Sequence, residues 1–221
     1  MERLEYLGIN DLIIYQDDDL YHFTSDAILL SKFTRTKKGD VVADFCAGSG
    51  IVGLYLYALN PSIKSVTFFE MQEKLFNLSK KSIQKNNLEN QLFAYNLKLQ
   101  DIDSTHFAKY SLITCNPPYE KLSAGDIQEN MEIAVCRKEI TITLEEIIKA
   151  CRQCLKYGGR LSMVHRADRL CDIVFEMKKN NIEPKRLQFV SSGKNKEPYL
   201  VLIEGVLGGK SGLKVLSNIE N

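Results

Sequence analysis

An α/β fold on a mostly parallel sheet is what this sequence predicts, and three observations carry it. Short apolar runs of strand length alternate with longer helical patterns from residue 41 onward. Glycine turns lead from strand to helix, as in Phe45-Cys46-Ala47-Gly48-Ser49-Gly50. Asparagine-rich stops, Asn60-Pro61, Asn86-Asn87 and Asn180-Asn181, end the helices. Strands separated by helices pair in parallel, because each crossover returns the chain to the same end of the sheet.

The elements follow in order. The first twenty residues are polar and acidic, and Asp17-Asp18-Asp19 reads as a loop. A helical run from Ala27 to Phe33 has Ser25 or Asp26 as a natural N-cap, which by itself accounts for Asp26. Val41–Phe45 is a buried-type strand, followed by a helix from Ile51 to Leu59. Val66–Phe69 is the second strand, and an amphipathic helix runs from about Gln72 to Lys85. Leu92–Tyr95 and Leu112–Cys115 are the third and fourth strands. Residues 120–142 break the rhythm, with a short helix around Met131–Val135, and a loop this long fits a substrate loop. Thr143 caps a helix from Leu144 to Leu155, with Glu145 and Glu146 where the helix dipole favours acid. A strand at Arg160–Val164 and a helix at Asp168–Lys179 come next. The strands Arg186–Val190 and Tyr199–Ile203 flank a basic hairpin-like loop, Ser191–Lys196.

Composition narrows the class. The 221 residues are 44% hydrophobic and 26% charged, which suits one domain with a sizeable core. No apolar run approaches the ~18 residues needed to cross a membrane. The start, Met1-Glu2-Arg3-Leu4-Glu5-Tyr6, lacks the apolar core of a signal peptide, so a soluble cytoplasmic protein is expected. Six cysteines in so long a domain do not make a disulfide framework. Cys151-Arg152-Gln153-Cys154 has redox or zinc spacing, yet it falls inside a helical pattern and reads as packing. His22, His106 and His165 share no metal spacing, and no metal is expected. Net charge is +1, but residues 151–221 hold 13 Lys+Arg against 7 Asp+Glu. A basic carboxyl-terminal third suits a polyanionic partner; solvated lysines would give the same bias.

Two motifs carry chemistry. Gly48, Gly50 and Gly53 satisfy GxGxxG, and Glu70 ends the second strand, where an acidic side chain meets a ribose hydroxyl pair. An adenosine-containing cofactor follows. A dinucleotide site places its first glycine at the strand end to receive a pyrophosphate. Here Asp44 stands at that end, repels phosphate and suits a cation such as S-adenosylmethionine. The second motif is Asn116-Pro117-Pro118-Tyr119. Two prolines end a strand, because neither donates to the ladder, and the first holds Asn116 extended. An amide, a rigid turn and an aromatic ring thus stand at a strand's carboxyl end, where open α/β sheets bind ligands. An ordinary strand-ending turn would share the prolines.

Asp44-x-x-x-Gly48-x-Gly50 resembles motif I of class I methyltransferases, and Asn116–Tyr119 resembles the NPPY motif of enzymes methylating planar amine or amide nitrogens. The resemblance implies a Rossmann-like fold with a mostly parallel seven-stranded sheet and helices on both faces. It implies one domain over 1–221, with residues 1–38 covering the cofactor. Contacts to S-adenosylmethionine would come from Thr24, Asp26, Asp44, Cys46, Ala47, Gly48, Gly50, Glu70 and Asn116. Relatives commonly end the third strand in Gly-Asp, whereas Lys98 holds that position here and Asp101 becomes the substitute. Asn116 and the Pro117 carbonyl would accept the acceptor's N–H bonds, Pro118 would stiffen the turn, and Tyr119 would stack on the planar group.

NPPY serves adenine in DNA or RNA, guanine amines in RNA, and glutamine in release factors. Release-factor enzymes carry a helical domain ahead of motif I, and only about forty residues precede it here. The chain most resembles the tRNA1(Val) adenine-N6-methyltransferase family, through Phe23–Leu30, Cys115–Tyr119, Arg137–Ile140, Val164–Arg166, Glu183–Val190 and Gly208–Lys210. That resemblance implies a tRNA partner and methylation of the adenosine 3′ of the anticodon. Arg137, Lys138, His165, Arg166, Lys185, Arg186, Lys194 and Lys196 are then the candidate RNA contacts, although each alone also reads as a solvated charge.

Overall fold

A computed structural model describes residues 1–20, 25–119 and 142–221. Thr24, Arg137, Lys138, the expected helix at 131–135 and nearly all of the expected substrate loop lie outside the described residues. The chain opens with an antiparallel hairpin, β1 (Glu2–Tyr6) and β2 (Ile13–Asp17), in the polar, acidic stretch where the sequence predicts no strand and a loop at Asp17–Asp19. Then come α1 (Ser25–Phe33), β3 (Val41–Phe45), α2 (Ile51–Leu59), β4 (Ser65–Glu70), α3 (Glu73–Lys85), β5 (Leu92–Asn96) and β6 (Tyr110–Cys115). The rest is α4 (Leu144–Cys154), β7 (Leu155–Arg166), α5 (Leu170–Lys179), β8 (Ile182–Ser191), β9 (Pro198–Leu207), β10 (Lys214–Val215) and β11 (Ile219–Glu220).

The main sheet runs β5-β4-β3-β6-β7-β9-β8, with the two short strands β10 and β11 both on the outer side of β8. Among the described residues the sheet therefore has nine strands, not seven. β3 pairs in parallel with β4 and β6, β4 with β5, and β6 with β7; β9 is antiparallel to β7 and β8. Strand order reverses between β3 and β6, and such a switch point opens a crevice at the carboxyl ends of the strands.

Period-two alternation sends each strand's side chains to two separate cores. Phe45, Phe69, Ile113 and Cys115 pack with α4 and α5 on one face. Val42, Phe68 and Leu112 pack with α1 and α2 on the other, joined by Ile14 of the hairpin. Thr143 forms a complete capping box with Glu146, which fixes the start of α4 as the sequence predicts.

Candidate active site

The site begins where β3 leaves the sheet. Cys46 turns at φ 55°, a left-handed conformation that costs a non-glycine residue roughly 1–2 kcal/mol. Gly48 and Gly50 follow at φ 56° and 90°, which glycine adopts freely. A Cβ on Gly48 would meet nothing within 4 Å, so this face of the loop is open. A Cβ on Gly53 would lie 2.0 Å from Phe68 Cε1, so the third glycine serves helix–strand packing.

Two buried carboxylates brace the loop. Asp44 accepts from Gly53 N (3.0 Å) through Oδ2 and from Thr114 Oγ1 (2.7 Å) through Oδ1. It thereby ties β3 to α2 and β6. Burial pushes its carboxyl up to about 7, against the two donors. Glu70, at the end of β4, accepts from Gly48 N and Gln72 N, each at 2.8 Å. Burial raises its carboxyl as well. Ala47 is buried and its N–H donates to Phe69 O (3.1 Å), fixing the loop to β4. Asp101 ends a short 3-10 turn, Leu99–Asp101, and is exposed.

The second half stands at the end of β6. Pro117 and Pro118 are buried, while Asn116 and Tyr119 are half-buried. The Tyr119 hydroxyl donates to Asn116 Oδ1 and has Asp26 Oδ2 3.3 Å away. Asp26 therefore lies in the first turn of α1 and faces the motif. The Tyr119 ring rests against His165, with centroids 5.3 Å apart and planes tilted by 51°.

Several expected RNA contacts are placed elsewhere. His165 is 1% exposed at the end of β7, and its Nδ1 accepts from Arg166 N (2.9 Å). Burial pushes its ring down to about 4, so it is neutral and cannot pair with a phosphate at neutral pH. Arg186 is also buried; it pairs with Glu204 (3.1 Å), donates to Phe33 O and stacks over the Phe33 ring. Lys185 donates to Lys210 O (2.9 Å) and sits between residues level with Leu161 and Ser162 of β7. At ~3.3 Å per residue that is about 15 Å from the Arg166 end of the strand. Arg166 is at the site's edge and forms a bidentate pair with Asp168. Lys194 and Lys196 are exposed in the β8–β9 turn, which the antiparallel register places at that same edge. Tyr199, missed in the sequence, is 40% exposed beside them and accepts from Asn221 Nδ2 (2.9 Å). Among the described residues no group of three His, Cys, Asp or Glu could hold a metal ion, and no helix is long and apolar enough to cross a membrane.

An open glycine loop flanked by two buried carboxylates suits a ribose and a cation and disfavours phosphate, so the residues fit S-adenosylmethionine. With an amide–proline turn across the switch point, fold and site together define a methyltransferase of Rossmann-like fold. The chain belongs to the methyltransferase small domain family, whose model matches residues 23–183. It is 22% identical over 201 residues to a tRNA1(Val) (adenine(37)-N6)-methyltransferase of Parabacteroides distasonis, covering 90% of this chain and 82% of that protein. It is 30% identical over 131 residues to a release factor glutamine methyltransferase of Mycoplasma mycoides, covering 58% of this chain and 46% of that one. Among solved structures, a predicted O-methyltransferase of Agrobacterium tumefaciens superposes with TM-score 0.70 at 15% identity, covering 88% of this chain and 86% of that one. A tRNA m1G37 methyltransferase of M. jannaschii gives 0.65 at 16% identity, covering 95% and 57%.

Proposed function

We propose that this protein methylates the exocyclic amine of an adenine in tRNA, at the adenosine 3′ of the anticodon of a valine tRNA. The observation that carries the chemistry is the half-buried Asn116 carbonyl at the end of β6, which accepts from the Tyr119 hydroxyl. An incoming amine displaces that hydroxyl and donates to Asn116 Oδ1 and to the Pro117 carbonyl. The nitrogen lone pair, otherwise delocalised into the base, is thereby aimed out of the ring plane. Tyr119, released, stacks on the base; such stacking is worth about 1–3 kcal/mol. S-adenosylmethionine supplies a methyl group on a sulfonium, already a good leaving group, so positioning dominates the catalysis. His165, the titratable ring beside Tyr119, is held neutral with Nδ1 occupied and acts as a floor for that ring, not as a base. The proton left on the methylated nitrogen passes to solvent.

The extent of the match favours tRNA over protein: likeness to the tRNA enzyme spans 90% of this chain, and likeness to the release-factor enzyme 58%. The release-factor likeness still supports a second reading, methylation of a protein glutamine. Incubation with labelled cofactor and, separately, undermodified tRNA or release factor decides between them. Label is expected in tRNA, and label in protein alone would overturn the tRNA reading. Asn116→Ala should lower turnover at least about a hundredfold while cofactor affinity changes less than about threefold, because a positioning contact to the amine is lost. Near-normal turnover in that variant would defeat the orientation mechanism.

A further inference from the structure

Among the described residues, one buried side-chain atom of the amino-terminal hairpin lacks a hydrogen-bond partner. Along β2 the residues alternate, and Ile14 and Gln16 point inward. Gln16 is 1% exposed. Its Nε2 donates to Ser49 Oγ at 2.6 Å, in the glycine loop, and to Tyr15 O at 3.2 Å. The Tyr15 carbonyl can only accept, so the amide nitrogen must face it and Oε1 must point the other way. That oxygen is buried and, among the described residues, has no hydrogen-bond partner. Buried polar atoms are nearly always paired, and an exception marks a place where a missing donor belongs.

The hairpin holds this oxygen in a defined place. Asn86, the C-cap of α3, accepts from Ile13 N and donates to Ile13 O, and Ser82 Oγ of α3 accepts from Tyr15 N. The backbone leading into Gln16 is thus pinned to α3, and its side chain is pinned to Ser49.

The identity of the donor follows from the layout of the site. With the ribose on Glu70 at the end of β4 and the methyl group towards Asn116 at the end of β6, the amino-acid arm is left to the loop between them. S-adenosylmethionine has donors only on its adenine, its ribose and its α-ammonium. A ribose held at Glu70 would take up the cofactor's ribose donors and leave its adenine to the β5 side. We propose that Gln16 Oε1 accepts a hydrogen bond from the α-ammonium of S-adenosylmethionine, so that the hairpin supplies a cofactor contact through the glycine loop. This rests on the reading of the site as one for that cofactor.

Calorimetric titration of the full chain with two ligands tests the assignment. S-adenosylhomocysteine carries the ammonium; 5′-deoxy-5′-methylthioadenosine has the same nucleoside thioether without the amino-acid arm. Gln16→Leu should weaken S-adenosylhomocysteine at least about tenfold, the range for a hydrogen bond to a charged group, and leave methylthioadenosine within twofold. Gln16→Glu keeps an acceptor and should hold the ratio of the two affinities at or above that of the wild type. Equal losses for both ligands, or none for S-adenosylhomocysteine, would overturn the proposal and leave Gln16 as a structural latch. Thermal melts report folding. If Gln16→Leu does not fold, the Gln16→Glu ratio decides, and a fall below wild type overturns the proposal. A wild-type protein that binds neither ligand would instead overturn the reading of the site itself.

Discussion

Asp44 is a carboxylate closed inside the sheet with Thr114 Oγ1 and Gly53 N as its donors, and Glu70 is the charged group that acts on it from β4. Its proton is held more tightly in the folded chain, at about 7 against an ordinary 3.8. Its contribution to stability is therefore full below about pH 4 and is lost as pH rises through 7. His165 works in the opposite sense: its ring titrates near 4 instead of 6.5, so its contribution is present above 6.5 and lost as pH falls. The two offset each other between these limits, and the wild-type curve alone would hide both. The melting temperature of the wild type minus that of Asp44→Asn should fall as pH rises from 5 to 8. A constant difference by scanning fluorimetry would show that the Asp44 proton is not shifted. Neither residue's burial is visible from its position in the sequence. In the sequence Asp44 reads as a cofactor contact and His165 as a candidate RNA contact; charge class says nothing about what packs over either side chain.

The glycine loop and α2 separate two roles that one motif combines. Gly53 lies against the fully buried Phe68 ring of β4, whereas Gly48 faces open space. Gly53→Ala overpacks the α2–β4 contact, typically a loss of about 1–3 kcal/mol. That corresponds to roughly 2–12 °C in melting temperature for a chain of this size, at ~2–4 °C per kcal/mol. Affinity for S-adenosylhomocysteine in the surviving fold should change little. Gly48→Ala should do the reverse, with a small thermal loss and weaker binding, because its Cβ projects into the open side of the loop. Calorimetry beside thermal melts distinguishes them, and a binding loss confined to Gly53→Ala would reverse the assignment. β3 and α2 occupy the limits the sequence predicts, because the turn glycines and Asn60-Pro61 punctuate both ends. β1 and β2 escaped, since β1 is polar and mostly exposed, and the two buried positions of β2, Ile14 and Gln16, are one apolar and one polar, so little apolar alternation shows. β10 and β11 are two residues each, too short to carry any period. The same reason hid Gln16: its inward direction is evident only once β2 is known to be a strand.

Across the whole molecule, the basic third is divided by the fold. Lys194 and Lys196 stand at the active-site edge, while Lys185 is engaged by the 210–211 backbone on the far half of the sheet and Arg186 is buried. Linear position cannot show this, because Arg186 finds Phe33 O at a separation of 153 residues. Lys194→Glu with Lys196→Glu should weaken tRNA binding and reduce the salt slope by about two, at ~0.9 per phosphate contact. Lys185→Glu should leave both nearly unchanged. Filter binding over a salt series measures each, and a larger loss from Lys185→Glu would place the RNA on the other half of the sheet.

The two ends of α1 are tied by residues made long after it. Arg186 reaches Phe33 O, Arg160 reaches Arg35 O across 125 residues, and Asn221 Nδ2 reaches Ser25 Oγ across 196. On a ribosome adding ~5–20 residues per second, the last of these contacts follows the first appearance of Ser25 by about 10–40 s. During that interval β3, β4 and β6 can pair and α1 can pack on α2, with Ser31 Oγ donating to Val52 O, while the later ties to its ends are still missing. Residues far apart in the sequence thus converge on the two ends of the helix that carries Asp26, so that its final seating is among the last events of folding.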